Sequence, residues 1–197
     1  MNKLLIIGIL VVLAVVIYLG ISIKQEITEA QATKFVLDDL SSKYQGAKIG
    51  ILTIEKNETS DWNIKAWVTY SADSPCPNRK HVYYNYPKFN FVTREESITP
   101  ECKVCEGSRE CIIVFPEEAI IASHVKQGTE GTNAYLKNYP DAKAAAVFNP
   151  PENEGYTDAW LVTWTSEKTN VTQYVLLNKF GGTVIREWSM ERSTAQG

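Results

Sequence analysis

The four cysteines are the residues of this 197-residue chain whose type and spacing are best suited to chemistry. They are Cys76, Cys102, Cys105 and Cys111, and all four lie within 36 residues. Four cysteines permit three disulfide pairings, and outside the cytoplasm disulfides are the default state of such a group. We favour Cys76 with Cys102 and Cys105 with Cys111, because a direct Cys102–Cys105 bridge would close a small, strained ring.

A structural zinc site that uses all four cysteines as ligands is the alternative. Cys102 and Cys105 have the spacing of one metal-binding knuckle, whereas Cys76 stands alone and Cys111 lies six positions beyond Cys105. The second knuckle of such a site is therefore missing. A redox role for Cys102 and Cys105 is less favoured, since no thioredoxin-like βαβ pattern surrounds them. No other metal or cofactor is predicted.

The remaining polar residues show no arrangement typical of an enzyme. The two histidines stand apart, His81 in a tyrosine-rich strand and His124 in a predicted helix, and no Gly-x-Ser-x-Gly motif is present. Adjacent acids occur three times, but neighbouring side chains on a helix or strand point in different directions and form no acid–base pair. Phosphate-binding glycine loops are absent. We therefore predict that the protein is not an enzyme.

Charge and composition exclude two further classes. The formal net charge is −3, the pI is about 5.5 and no run of Lys or Arg stands out, which argues against nucleic acid as a partner. Hydrophobic residues make up 44% of the chain and charged residues 22%, so a disordered chain is not expected.

Residues 4–23 form an uncharged, apolar stretch that is long enough, as a helix, to cross the hydrocarbon core of a membrane. A cleaved signal peptide, with Gly20-Ile-Ser22 as its cleavage site, is the alternative. Lys3 before the stretch and Glu26 and Glu29 after it favour a cytoplasmic N-terminus. We predict a single-pass membrane protein, anchored through residues 4–23, whose C-terminal domain is extracellular.

Two glycosylation sequons agree with an extracellular location. Asn57-Glu-Thr59 and Asn170-Val-Thr172 match the acceptor triplet, so Asn57 and Asn170 are candidate glycosylation sites. Such triplets also arise by chance, and each of them alone is a weak signal.

From about residue 27 onward the chain reads as two copies of one structural unit. Each copy begins with a predicted helix, over about 28–44 in the first and 116–139 in the second, where a break at Gly128 or Gly131 is an alternative. The helices end with similar sequences, Tyr44-Gln-Gly-Ala-Lys and Tyr139-Pro-Asp-Ala-Lys, 95 residues apart. Strands with matching residues follow in the same order, at offsets that fall to 92.

Each copy therefore predicts one helix and four strands, which pair as an antiparallel meander covered by the helix. The predicted fold class is α+β: an N-terminal transmembrane helix followed by two duplicated helix-plus-antiparallel-sheet units. The predicted boundaries are 1–24 for the anchor, 25–97 for the first unit, 98–115 for a cysteine-containing connection, 116–191 for the second unit and 192–197 for a tail.

This element order, together with helix-end sequences such as Tyr139-Pro-Asp-Ala-Lys, resembles the PepSY and cystatin-like families. In those families an antiparallel sheet wraps one helix, often in duplicate behind a membrane anchor. The resemblance spans nearly all of residues 27–190 and implies an extracytoplasmic binding module, since PepSY-like domains are thought to inhibit or chaperone peptidases. The Gln-x-Val-x-Gly loop by which cystatins engage cysteine proteases is not present, so protease inhibition is not carried over.

Aromatic and apolar residues on the strands form the candidate partner site. Strand alternation places Trp67 and Leu161 on sheet faces away from the helices, near the strand that contains Tyr83. An exposed face of this kind suits a protein partner, although these faces could instead pack on each other or on a second copy in a homo-oligomer. We expect a non-enzymatic protein-binding module, such as a regulator of a membrane or secreted peptidase. A structural subunit of a membrane or cell-surface complex is the alternative.

Overall fold

The architecture consists of two antiparallel four-stranded sheets and three helices, an α+β arrangement. It is seen in a computed structural model that describes residues 26–88, 91–105, 111–150 and 155–192. In both sheets each strand pairs with the next strand along the chain, so both are simple meanders.

The first unit consists of one helix and the first sheet. Its elements are α1 (Glu29–Lys43), β1 (Lys48–Lys56), β2 (Trp62–Tyr70), β3 (Asn78–Tyr86) and β4 (Val92–Ser97). A reciprocal capping box between Thr28 and Gln31 starts α1, because each side chain accepts a hydrogen bond from the other residue's backbone N–H. Ala32, Val36 and Leu40 recur at helical spacing and are fully buried in the core between α1 and the sheet.

The second unit repeats this plan with two helices. Its elements are α2 (Pro116–Val125), α3 (Glu130–Asn138), β5 (Lys143–Phe148), β6 (Ala159–Thr165), β7 (Val171–Asn178) and β8 (Val184–Glu191). Two tryptophans lie in its core, where the Trp160 indole N–H donates to the Ile113 carbonyl and the Trp164 indole N–H to the Ser123 hydroxyl, each at 3.1 Å. Because both N–H groups find partners, both rings are buried without an unsatisfied donor.

The helical segment of the second unit is broken, as the alternative prediction for residues 116–139 had it. The first helix ends at Val125 and the next begins at Glu130. Gly128, in the intervening turn, has a φ of 84°, a conformation that glycine adopts without the steric cost of a Cβ. Between the units, a short 3₁₀ turn spans Pro100–Cys102. The predicted domain boundaries stay a prediction.

The predicted fold class and localisation need a correction at the N-terminus. In the described part of the chain, no helix is long and apolar enough to span a membrane. The longest, α1, has 15 residues and buries only one stripe, whereas a span needs about 20 consecutive apolar residues. The prediction of a transmembrane helix followed by two units is therefore wrong for this structure, as is the single-pass localisation. Residues 4–23, on which both rested, lie outside the described residues.

Candidate binding surface

Each sheet has one face that packs on helices and one that points away from them. Directly paired residues of antiparallel strands project to the same side of a sheet, which assigns each paired strand residue to a face. We name the side of the first sheet opposite α1 the first outer face. Its residues include Lys65, Trp67, Thr69, Arg79, His81, Tyr83, Arg94 and Glu96.

One end of the first outer face is covered by the start of α2. The Arg79 guanidinium donates to both carboxylate oxygens of Glu117, at 3.0 Å each, and both side chains are buried. The Thr69 hydroxyl donates to the same carboxylate at 2.7 Å. The guanidinium carbon lies 4.9 Å from the centre of the Trp67 ring and 4.2 Å from that of Phe115. A buried cation, enclosed by two rings and paired with an acid, thus joins the two units.

Glu118 holds the start of α2 in this position. Its carboxylate accepts hydrogen bonds from the backbone N–H groups of Val114, at 2.8 Å, and Phe115, at 2.9 Å. Burial raises the pKa of Glu118, while these two hydrogen bonds act in the opposite direction. The carboxylate therefore fixes the turn from which Phe115 and Glu117 reach the first sheet.

His81 lies beside this ion pair and is only 1% exposed. Its Nε2 accepts a hydrogen bond from the Arg79 Nε at 3.3 Å, and its ring meets that of Phe115 edge to face. Burial, and then the positive charges of Lys65 and Arg79, lowers the pKa of His81 to about 4. The imidazole is therefore neutral near pH 7 and supports the orientation of Arg79.

Two of the three predicted partner residues make extensive contacts within the first sheet. Trp67 lies across Gly50, where an added Cβ would approach the indole Nε1 to 2.6 Å. Tyr83 lies under the Arg94 guanidinium, whose carbon is 4.1 Å from the ring centre, and donates its hydroxyl proton to Glu96 at 2.7 Å. Both side chains are half-buried, and these contacts lie within the first outer face. Leu161 lies on the other sheet, so the structure does not bring the three residues together.

The side of the second sheet opposite α2 and α3, which we name the second outer face, has a different character. Its residues are Lys143, Ala145, Val147, Ala159, Leu161, Thr163, Thr165, Thr172, Tyr174, Leu176, Asn178, Arg186, Trp188 and Met190. Val147 and Met190, on the two edge strands, are 53% and 56% exposed. Among the strand residues that the structure describes on this face, the charged ones are Lys143 and Arg186. The second outer face is thus apolar and aromatic and is exposed at its two edge strands, whereas Thr172 and Leu176 on the central strand β7 are buried.

An aromatic pair lies within the second outer face. The rings of Tyr174 and Trp188 stack with their centres 5.2 Å apart and their planes 9° from parallel. The Arg186 guanidinium lies over the Trp188 ring at 5.0 Å. Leu161 was predicted from the sequence, whereas Trp188 and Met190 were not, although they alternate with the polar residues Glu187 and Ser189 along the strand.

The cysteines form two pairs, each at disulfide distance, with Cα atoms 5.0 Å apart for Cys76 and Cys102 and 5.3 Å apart for Cys105 and Cys111. This is the pairing favoured from the sequence. The described residues do not gather all four cysteines as the zinc alternative requires. Instead, the group of metal-type ligands found there combines Cys76 and Cys102 with His124. Sequence spacing did not reveal His124, since it lies 22 residues beyond Cys102 on a helix.

The two candidate glycosylation sites lie in turns between strands. Asn57 follows β1, and its side-chain oxygen accepts hydrogen bonds from the Thr59 N–H at 3.0 Å and the Asp61 N–H at 2.9 Å. Asn170 precedes β7 and is exposed, whereas Thr172 of the same sequon is buried. Glycosylation at either residue stays a prediction.

Comparisons of this chain with protein-family models, with curated proteins and with solved structures found no match. The resemblance to the PepSY and cystatin-like families therefore stays a prediction.

Proposed function

We propose that this chain is a non-enzymatic protein-binding module, and that its second outer face binds a polypeptide segment with apolar and acidic side chains. The observation that carries the proposal is that exposed apolar residues, such as Val147 and Met190, share one sheet face with Lys143 and Arg186, the charged residues of its described strands. Protein interfaces place an apolar and aromatic centre within a polar rim, which can carry charges. The charges of the rim then select the partner's charge.

The first unit supplies an internal example of such recognition. There, the segment at the start of α2 places the Phe115 ring and the Glu117 carboxylate on a sheet face that presents Arg79 next to Trp67, at 4.9 Å. The second outer face presents a similar pair, Arg186 over Trp188 at 5.0 Å. By analogy, an aromatic residue followed closely by an acid is the sequence that we expect in the partner.

Charge argues against a second copy of this chain as the occupant. A two-fold symmetric contact brings the same patch of both copies together. Lys143 and Arg186 of one copy would then lie close to the same cations of the other copy, and like charges across an interface disfavour the contact. A homo-oligomer through this face would show as concentration-dependent mass in solution, and would contradict the proposed partner chemistry.

The cysteine pairs support a location outside the cytoplasm, because disulfides persist in oxidising compartments. Regulation of a peptidase, and the alternative of a structural subunit in a larger complex, remain narrower predictions.

The proposal is tested by selecting peptides from a random library on the full-length, oxidised chain. We expect the bound peptides to be enriched in Asp and Glu together with Phe, Tyr or Trp. Their binding should weaken as salt rises, since salt screens the attraction to Lys143 and Arg186. Selected peptides without acidic enrichment, or with salt-independent binding, would contradict the proposed partner.

A matched pair of variants locates the binding. Val147→Glu places an acid on the second outer face, whereas Val125→Glu places one at the end of α2, where the valine is exposed to a similar extent, 47% against 53%. Because both side chains are exposed, both variants should retain the fold. Loss of peptide binding in Val147→Glu alone supports the proposal, and equal loss in both variants contradicts it.

A further inference from the structure

Three side chains of different elements meet beside the contact between the two units. Cys76 lies in the loop between β2 and β3, Cys102 in the 3₁₀ turn and His124 in the last turn of α2. Their two Sγ atoms and one ring nitrogen all lie within 4.8 Å of one another. Two sulfurs and an imidazole nitrogen form a ligand set that zinc prefers.

The imidazole of His124 is held in place by its surroundings. Its Nε2 lies 4.0 Å from the Cys102 Sγ and 2.8 Å from the Pro75 carbonyl oxygen. Its ring meets the buried Trp164 ring edge to face, with centres 6.0 Å apart. Asn133 also donates a hydrogen bond to the His124 carbonyl at 2.9 Å. The contact with Trp164 does not involve Nε2, so it can still restrain the ring when Nε2 exchanges Pro75 for a metal ion.

Cys76 makes the group accessible. Cys76 is exposed, while Cys102 and His124 are half-buried, so a reductant and a metal ion can both approach from solvent. Tetrahedral zinc places its ligand atoms roughly 3.5–3.8 Å apart, given Zn–S and Zn–N bonds of about 2.3 and 2.0 Å. The Cys102–His124 separation of 4.0 Å is already close to that spacing.

We propose that Cys76, Cys102 and His124 bind one zinc ion when the Cys76–Cys102 disulfide is reduced, leaving a fourth position for water. A thiol or phosphine reductant supplies two electrons, and with two protons from solvent the disulfide becomes two thiols, while the reductant becomes a disulfide or a phosphine oxide. Zinc then displaces the two thiol protons as two Zn–S bonds form. The His124 Nε2 gives up its hydrogen bond to Pro75 and offers its lone pair, with the ring proton on Nδ1. The oxidised and metal-bound forms are therefore mutually exclusive.

The test uses the full-length chain, a water-soluble phosphine and Co²⁺ as a spectroscopic substitute for zinc. The phosphine takes the oxygen of one water molecule and becomes its oxide, while the disulfide becomes two thiols. We expect one Co²⁺ per reduced chain, with thiolate-to-cobalt charge-transfer absorption and the visible bands of tetrahedral cobalt. Added Zn²⁺ should displace it. The oxidised chain should show none of these bands.

Two variants separate this site from thiols in general. His124→Phe retains an aromatic ring against Trp164 but removes the nitrogen ligand, and we expect Co²⁺ affinity to fall by ~10-fold or more. The double variant Cys105→Ser/Cys111→Ser removes the other cysteine pair and should bind Co²⁺ as the parent does. Circular dichroism checks that both remain folded.

Other outcomes would overturn the proposal. These are an absence of tetrahedral cobalt bands in the reduced parent chain, unchanged affinity in His124→Phe, or loss of binding in Cys105→Ser/Cys111→Ser. If His124→Phe fails to fold, His124→Gln replaces it, with the same expected loss of affinity.

Discussion

Arg79 and Glu117 form a buried ion pair, and the groups around it determine how much the pair contributes to stability. Removing two charges from water is costly, and here the cost is offset by two hydrogen bonds between the partners, a third from Thr69 and the two flanking rings. Such a pair adds little net stability compared with an apolar contact, yet removing one partner leaves an uncompensated buried charge. Its main consequence is to specify how the second unit packs on the first.

Glu117→Ala should lower the free energy of unfolding by about 3–5 kcal/mol, because Arg79 would remain buried without its acid. Lys34→Ala is the control, since it breaks the exposed Lys34–Asp38 pair on α1 and should cost no more than about 0.5 kcal/mol. Urea unfolding of the oxidised chains measures both values. Similar small losses in the two variants would show that the Arg79–Glu117 pair is not buried in solution.

His81 predicts a pH dependence of stability. Its pKa is about 4 in the folded chain and about 6.5 when unfolded, with Lys65, Arg79, Glu96 and Glu117 as the charged groups that act on it. Between these values the unfolded chain binds more protons. The stabilisation by neutral His81 is therefore complete above about pH 6.5 and is lost as the pH falls toward 4.

His81→Gln isolates this effect, because glutamine keeps an acceptor for Arg79 but does not titrate. Between pH 7 and pH 4.5, the parent chain should lose ~2 kcal/mol more of its free energy of unfolding than the variant does. Denaturant unfolding at the two pH values gives the comparison, and carboxylates elsewhere affect both chains alike. Equal losses in the two chains would mean that protonation of His81 does not lower the free energy of unfolding, which contradicts the prediction.

At the scale of the elements, β1 and β2 show a size complementarity that alternation alone does not reveal. Gly50 pairs with Trp67, and the indole lies over the position that a Cβ at residue 50 would occupy. The glycine therefore allows Trp67 to lie flat on the sheet, where its ring reaches Arg79. A strand interior would otherwise favour a residue with a side chain.

Gly50→Ala should destabilise the chain by about 1–3 kcal/mol, since the new methyl group collides with Trp67. In a Trp67→Ala background the collision is absent, and the same substitution should be neutral or stabilising, because alanine loses less backbone entropy than glycine. A double-mutant cycle of unfolding free energies tests this change of sign. Additive effects would show that the two residues are not in contact.

The strands also show which structural features could be predicted from the sequence and which could not. Period-two alternation placed Trp67 and Leu161 on the faces away from the helices, as the strand pairing has them. Alternation could not show that Phe115 and Glu117 cover Arg79, because the ion pair joins residues 38 positions apart that belong to different units. The transmembrane prediction rested on the apolar composition of residues 4–23 alone. Composition describes a segment locally and does not show how that segment is arranged with the rest of the chain.

At the scale of the whole molecule, the two units present faces with different accessibility. One end of the first outer face is covered by the chain's own Phe115 and Glu117. On the second outer face, Val147 and Met190 are exposed on the two edge strands. The duplicated plan therefore offers one occupied and one open version of a similar surface. The apolar content of the second outer face could be anticipated from strand alternation, but the position of Lys143 and Arg186 on the same face required the register of all four strands.

The measurement that tests the central claim most directly is the dissociation constant of an acidic, aromatic peptide for the full-length chain and its variants. Fluorescence anisotropy would compare the parent chain with Met190→Glu, on the second outer face, and with Val125→Glu, on α2. We predict at least ~10-fold weaker binding for Met190→Glu, about 1.4 kcal/mol, and an unchanged constant for Val125→Glu. Equal binding by all three chains would contradict the assignment of the second outer face as the binding surface.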